Sequence, residues 1–192
     1  MKEIYAMAQS RGIKVHTDGA RLFNAAVSLG IMAAGIAVCS DSVMFCLSKG
    51  LCSPVGSMLA GTGEFITRAR KNRKMLGGGM RQAGILAAAG LISLTKMTFR
   101  LHEDHENARY LAEGLQTLEG VSLDPSAVQI NMVFLHVNRP KAFVDDLPAK
   151  MRELGIKING PEAGTQLRLV TNHDVTKADI DKVIDVMKTL MQ

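Results

Sequence analysis

Asp18-Gly19-Ala20-Arg21 follows the short Ile13 to Thr17 segment, and Ser48-Lys49-Gly50 follows an apolar run, with Lys49 twenty-eight residues beyond Arg21. A lysine amine condenses with aldehydes, and a carboxylate can keep a pyridine nitrogen protonated so that the ring accepts electrons from a carbanion. An aspartate and a lysine at the ends of neighbouring strands therefore suit pyridoxal phosphate. The glycines beside them let backbone approach a planar ring. By residue type alone, an exposed Asp and Lys with no shared role would show the same spacing, so both readings stand at this point.

Such a pair needs strands that end side by side, and the apolar rhythm of the chain supplies them. Residues 3–11 read as the end of a helix with Ile4, Met7 and Ala8 on one face, stopped by Gly12. Ile13 to Asp18 predicts a short strand that delivers Asp18 at its C-terminal end, followed by an Ala-rich helix over 21–34. Ser42 to Leu47 is a near-continuous apolar run of the kind buried on both faces, and it ends in the Ser48-Lys49-Gly50 loop. Ser57 to Gly61 predicts another strand, and Gly63 to Leu76 a basic helix. Strands alternating with helices, with polar residues just past the strand ends, predict an α/β sheet whose site lies at that edge.

Gly77-Gly78-Gly79 reads as a joint or a close backbone approach. From Arg81 to about Leu118 runs a long helical region with room for one break, bridging two parts of the fold. The rhythm then changes. Ile130 to Val137 and Thr165 to Val170 read as strands, the second with Leu167 and Leu169 on one face and Gln166 and Arg168 on the other. Lys141 to Leu154 predicts a helix ended by Gly155. Thr176 with Asp179 makes a capping box for a last helix whose apolar face is Ile180, Val183, Ile184, Met187, Leu190 and Met191. The expected organisation is residues 1–98 as one domain and 99–192 as a small α+β domain, its sheet covered by helices on one side.

Composition narrows the class. Of 192 residues 47% are apolar and 21% charged, enough to bury a core, while 4% aromatics and no Trp argue against an all-β sandwich or a base-stacking platform. Cys39, Cys46 and Cys52 form no CxxC pair, which argues against a disulfide framework or a structural zinc site and for a reducing, cytoplasmic setting. The nineteen uncharged residues between Arg21 and Asp41 include Asn24, Ser28, Ser40 and two glycines, so they read as a buried helix and turn rather than a membrane span. The net charge of +5 fits a polyanion binder or an enzyme holding phosphate and carboxylate groups. Arg68, Arg70, Lys71, Arg73 and Lys74 lack interleaved aromatics and read as a solvated helix face rather than a nucleic-acid patch. His102 and His105 do not form HExxH, their acidic neighbours read as a solvent face, and no metal is expected.

The strings themselves go further. His16-Thr17-Asp18-Gly19-Ala20-Arg21 and Leu47-Ser48-Lys49-Gly50-Leu51-Cys52-Ser53-Pro54-Val55-Gly56-Ser57 resemble the cofactor motifs of the low-specificity L-threonine aldolases. Lys74-Met75-Leu76-Gly77-Gly78-Gly79-Met80-Arg81-Gln82-Ala83-Gly84, Glu103-Asp104-His105-Glu106-Asn107-Ala108 and Arg168-Leu169-Val170-Thr171 match in the same order. The resemblance implies the C-terminal part of a fold type I large-domain sheet, as in aspartate aminotransferase, plus a small domain joined by a long helix. It implies a pyridoxal-phosphate-dependent lyase that cleaves L-threonine or L-allo-threonine to glycine and acetaldehyde. Lys49 would be the Schiff-base lysine and Asp18 the partner of the pyridine nitrogen. Arg21 would lie near the cofactor's phenolic oxygen and the substrate carboxylate, with Ser48 at the phosphate. Arg168 would grip the substrate carboxylate with its planar fork, and Lys74 and Arg81 would approach the site, across a subunit contact. Cys52 stands where relatives often have glycine and reads as a small packed thiol.

The resemblance also implies a homo-oligomer, tetramer or dimer, acting on a small amino acid. Relatives of this kind carry a long segment ahead of the Asp18 strand, with a phosphate-binding turn, a ring-stacking histidine and a serine for the substrate carboxylate. The expectation is therefore that the 192-residue chain alone binds the cofactor weakly and turns over little. The alternative is a catalytically inactive truncated subunit that acts only through assembly with full-length or complementary chains.

Overall fold

Apolar side chains gather in the two halves of this chain to very different depths. The computed structural model describes residues 1–192, which divide into two units, Met1–Leu101 and His102–Gln192.

In the first unit, α1 (Lys2–Ser10) leads to β1 (His16–Asp18), α2 (Leu22–Leu29), α3 (Ala33–Ala37), β2 (Ser42–Cys46), β3 (Ser57–Gly61), α4 (Gly63–Met75) and α5 (Gly84–Thr95). The sheet runs β1-β2-β3, with β1 and β2 parallel and β3 antiparallel to β2. The first strand is shorter than the expected span from Ile13 to Asp18, because Ile13 and Lys14 lie outside it, exposed. Asp41 anchors its start, accepting hydrogen bonds from the Val15 amide at 2.9 Å, Lys14 Nζ at 2.9 Å and Gln9 Nε2 at 3.0 Å. The Val15 N–H first and the Lys14 ammonium second hold that carboxyl below its ordinary value.

The helix expected over 21–34 is two pieces. Gly30 takes φ +64°, and its N–H closes on Val27, so α2 ends there and α3 starts afresh. β2 is buried at Ser42 and Val43 but only half-buried over residues 44–46, less enclosed than its composition predicted. Leu22, Ala26, Ile36 and Val43 form one small cluster, and Leu47, Leu51 and Leu101 another. Phe23 and Phe45 join these clusters edge to face, centroids 5.3 Å apart. All five β3 residues are exposed, and α1 and α4 bury no residue.

The long helical stretch breaks at Lys96, where a 3₁₀ turn (Met97–Arg100) precedes α6 (Leu101–Gln116). No single helix is long and apolar enough to cross a membrane; Gly84–Thr95 reaches that mark only when joined to Met97–Gln116 across the break.

The second unit holds α6, β4 (Val121–Ser122), β5 (Met132–Val137), α7 (Lys141–Glu153), β6 (Gln166–Val170) and α8 (Lys177–Met191), its sheet antiparallel in the order β4-β5-β6. Alternation turns Val133, Leu135, Val137, Leu167 and Leu169 into the core and Phe134, His136 and Arg168 to the other face. Ile180, Met187 and Met191 of α8 bury against it, and Thr176 and Asp179 form the expected capping box.

The solvent face expected of the acids around His102 and His105 holds for Glu103 and Glu106, which are exposed, but not for Asp104. Asp104 and His105 are buried, 0% and 3% exposed, because they share a stripe with Leu101, Ala108, Ala112 and Leu115 at helical spacing. Burial first, then the Arg109 and His102 charges, lower the His105 pKa below its ordinary 6.5. The unfolded chain therefore binds this proton more readily than the native one. The associated stability is present above pH 6.5 and is lost as pH falls through that value toward the native pKa. Denaturant midpoints of the second unit are expected to drop on that descent, and His105→Gln to flatten the drop. An unchanged slope in the variant would assign it elsewhere.

Candidate active site

Asp18 closes β1, and its carboxylate accepts the Ala20 N–H at 3.1 Å, a side-chain turn that leads into α2 with Arg21 at its N-cap. Gly19 N–H donates to Met44 O at 2.8 Å, and a Cβ there would lie 2.8 Å from the same oxygen. Only glycine lets the chain leave β1 this close to β2.

Beyond β2 the chain doubles back on itself. Leu47 N–H donates to Gly56 O, Ser53 N–H to Leu47 O and Cys52 N–H to Lys49 O, each at 2.9 Å. Gly50 is buried, and a Cβ on it would meet Asn24 Oδ1 at 2.9 Å and Leu101 at 3.1 Å. Packing the glycine inward leaves Ser48 and Lys49 exposed at the rim. Cys52 is also exposed, which corrects the expectation of a packed thiol. Its φ of +61° is the conformation glycine adopts most readily, and Sγ donates to Gly50 O at 3.4 Å.

Asp18 pairs in register with Met44 on the parallel strand, and Lys49 follows the C-terminal end of that strand. This is the edge at which open α/β sheets bind ligands. Parallel partners share a face, so Asp18 lies on the Met44 face. A cleft of about 450 Å³ on that face is lined by Met44, Leu59, Ile66 and Ala69 with Arg70 and Arg73; Asp18 and Lys49 are not among its lining residues. By sequence Arg70 and Arg73 belong only to a solvated helix face. That they also border the cleft depends on how α4 lies against β3, for which the sequence carries no signal.

The remaining candidates are spread more widely. Arg21 and Ser48 belong to the segments just after β1 and β2. Lys74 is exposed in the last turn of α4, and Arg81 lies exposed between the glycines and α5. Arg168 sits on β6 in the second unit, where its Nη2 is 2.8 Å from Glu162 Oε1, a partner the sequence gave no reason to expect.

The fold is an α/β fold of the kind seen in a threonine aldolase structure from Leishmania major, matched with a TM-score of 0.71 over 100% of this chain and 56% of that one at 20% identity. The beta-eliminating lyase family pattern matches residues 1–138, and the chain belongs to that family. It is 42% identical over 183 residues to the low specificity L-threonine aldolase of Escherichia coli K12, covering 95% of this chain and 53% of that protein. It is 37% identical over 191 residues to low-specificity L-threonine aldolase 1 of Arabidopsis thaliana, covering 99% of this chain and 53% of that protein. The chain thus spans about half the length of the curated relatives it matches.

Proposed function

We propose that this chain supplies the lysine and aspartate of a pyridoxal-phosphate lyase site that splits L-threonine or L-allo-threonine at Cα–Cβ into glycine and acetaldehyde. One observation carries the reading: of two paired parallel strands, one ends in Asp18 and the other is followed by Lys49, each beside a glycine whose Cβ would collide. The donor set fits the cofactor, with an amine for its aldehyde, a carboxylate for its ring nitrogen, and cationic and hydroxyl donors for its anionic oxygens. When bound, the cofactor supplies an electron sink for the bond cleaved at Cα.

Lys49 Nζ holds the aldehyde carbon, and Asp18 keeps the proton on the ring nitrogen. Ser48 and Arg21 serve anionic oxygens of the cofactor, with Arg21 also facing the substrate carboxylate. Arg168 takes that carboxylate as a bidentate fork, which requires the substrate to share or displace Glu162. Lys74 and Arg81 complete the cationic surroundings. In this reading residues 1–98 hold the cofactor, residues 99–192 form the small domain, and the working unit is a homo-oligomer. The apolar surface of the first unit supports assembly, with Leu76 87% and Ile85 85% exposed. It also favours the second reading, a subunit active only through complementary chains.

Incubation of the 192-residue chain with pyridoxal phosphate, borohydride reduction and peptide mapping tests the proposal. The expected result is one adduct, on Lys49. Labelling scattered over surface lysines, or none, would sink it. Threonine cleavage appearing only on addition of full-length aldolase subunits would select the assembly reading.

A further inference from the structure

The turn that presents Lys49 is tied to α5 by two buried serines that the proposed chemistry does not use. Ser93, within α5, is 2% exposed, and Ser53, four residues past Lys49, is 6% exposed. Ser93 Oγ donates to the Leu51 carbonyl at 2.7 Å, and the two serine Oγ atoms are 2.7 Å apart. A carbonyl only accepts, so the Ser93 proton is committed to Leu51 and Ser53 must donate to Ser93. The chain of bonds has one direction, in dry surroundings where each is strong and its loss expensive. α5 also comes close at Gly90, where a Cβ would lie 3.2 Å from Leu47.

Something must hold this turn in place, because Cys52 at φ +61° is a strained backbone that persists only where its surroundings determine it. We infer that Ser93 and Ser53 are positioning residues for Lys49: their directional clasp sets the turn and limits the freedom of the amine at the sheet edge. This inference rests on the proposed role of Lys49.

The test uses the full 192-residue chain. Ser93→Ala is expected to raise amide exchange across residues 47–53 about tenfold, the change in local opening that a lost buried hydrogen bond carries. It is also expected to slow borohydride-trappable capture of pyridoxal phosphate by Lys49 about tenfold. Ser93→Thr, which keeps the hydroxyl, should restore both, a rescue that a purely structural role would not single out. Should Ser93→Ala fail to fold, Ser53→Ala removes one bond and leaves Ser93 on Leu51, with a smaller rise in the same segment expected. Normal capture by wild type with no change in the serine variants overturns the clasp alone. No capture on Lys49 by wild type overturns the cofactor reading, while the exchange data still report whether the serines hold the turn. A rise in exchange spread evenly over the first unit, without rescue by Ser93→Thr, also overturns the inference.

Discussion

Lys49→Ala is expected to abolish covalent capture of pyridoxal phosphate by the 192-residue chain, whereas Lys96→Ala, also exposed, leaves it unchanged. Each exposed lysine amine can react with an aldehyde, but a lasting and selective adduct needs the ring held in place. Lys49 alone among these lysines follows a strand whose parallel neighbour ends in a carboxylate. Lys49→Arg should fail as completely, since a guanidinium keeps its proton and offers no free amine. Because Lys49 is solvent-exposed, neither change should alter the unfolding free energy of the first unit by more than about 0.5 kcal/mol. Intact mass after reduction reads the result directly. An undiminished adduct in Lys49→Ala would remove the central residue of the proposed site.

Leu135→Ala is expected to cost about 2–5 kcal/mol, the range for emptying a closed core position. Leu135 is 0% exposed in a cluster of eighteen buried apolar residues that includes Val133, Leu147, Leu167 and Met187. Leu22→Ala should cost less, near 2 kcal/mol, because its cluster has only three other buried members and its neighbours can settle into the gap. The two units should therefore melt separately, the first unit first, and a single midpoint would misdescribe the chain. Hydrogen exchange resolved by segment checks this. Equal losses, or simultaneous opening of both units in wild type, would refute the ranking.

The second unit was largely legible in the order of its residues. Its last helix declares itself through a capping box and a clean apolar stripe, and β6 through strict alternation, because both patterns arise among residues a few positions apart. In α6 helical period outweighs residue type: Asp104 and His105 fall on the apolar stripe and are buried, while Glu103 and Glu106 of the same run are exposed. In the first unit, Gly30 ended a helix that Ala-rich composition seemed to continue, since one left-handed residue outweighs weak propensity.

Residue type and spacing nominated Asp18 and Lys49 as a pair, while Arg21, Ser48 and Arg168 were nominated by the resemblance to the threonine aldolases. Three-dimensional folding had to supply the rest: the parallel register of β1 with β2, the antiparallel turn of β3 and the Ser53–Ser93 clasp. The clasp joins residues forty positions apart, and strand pairing likewise joins distant segments. Such contacts depend on how elements pack, and no short window of sequence contains both partners.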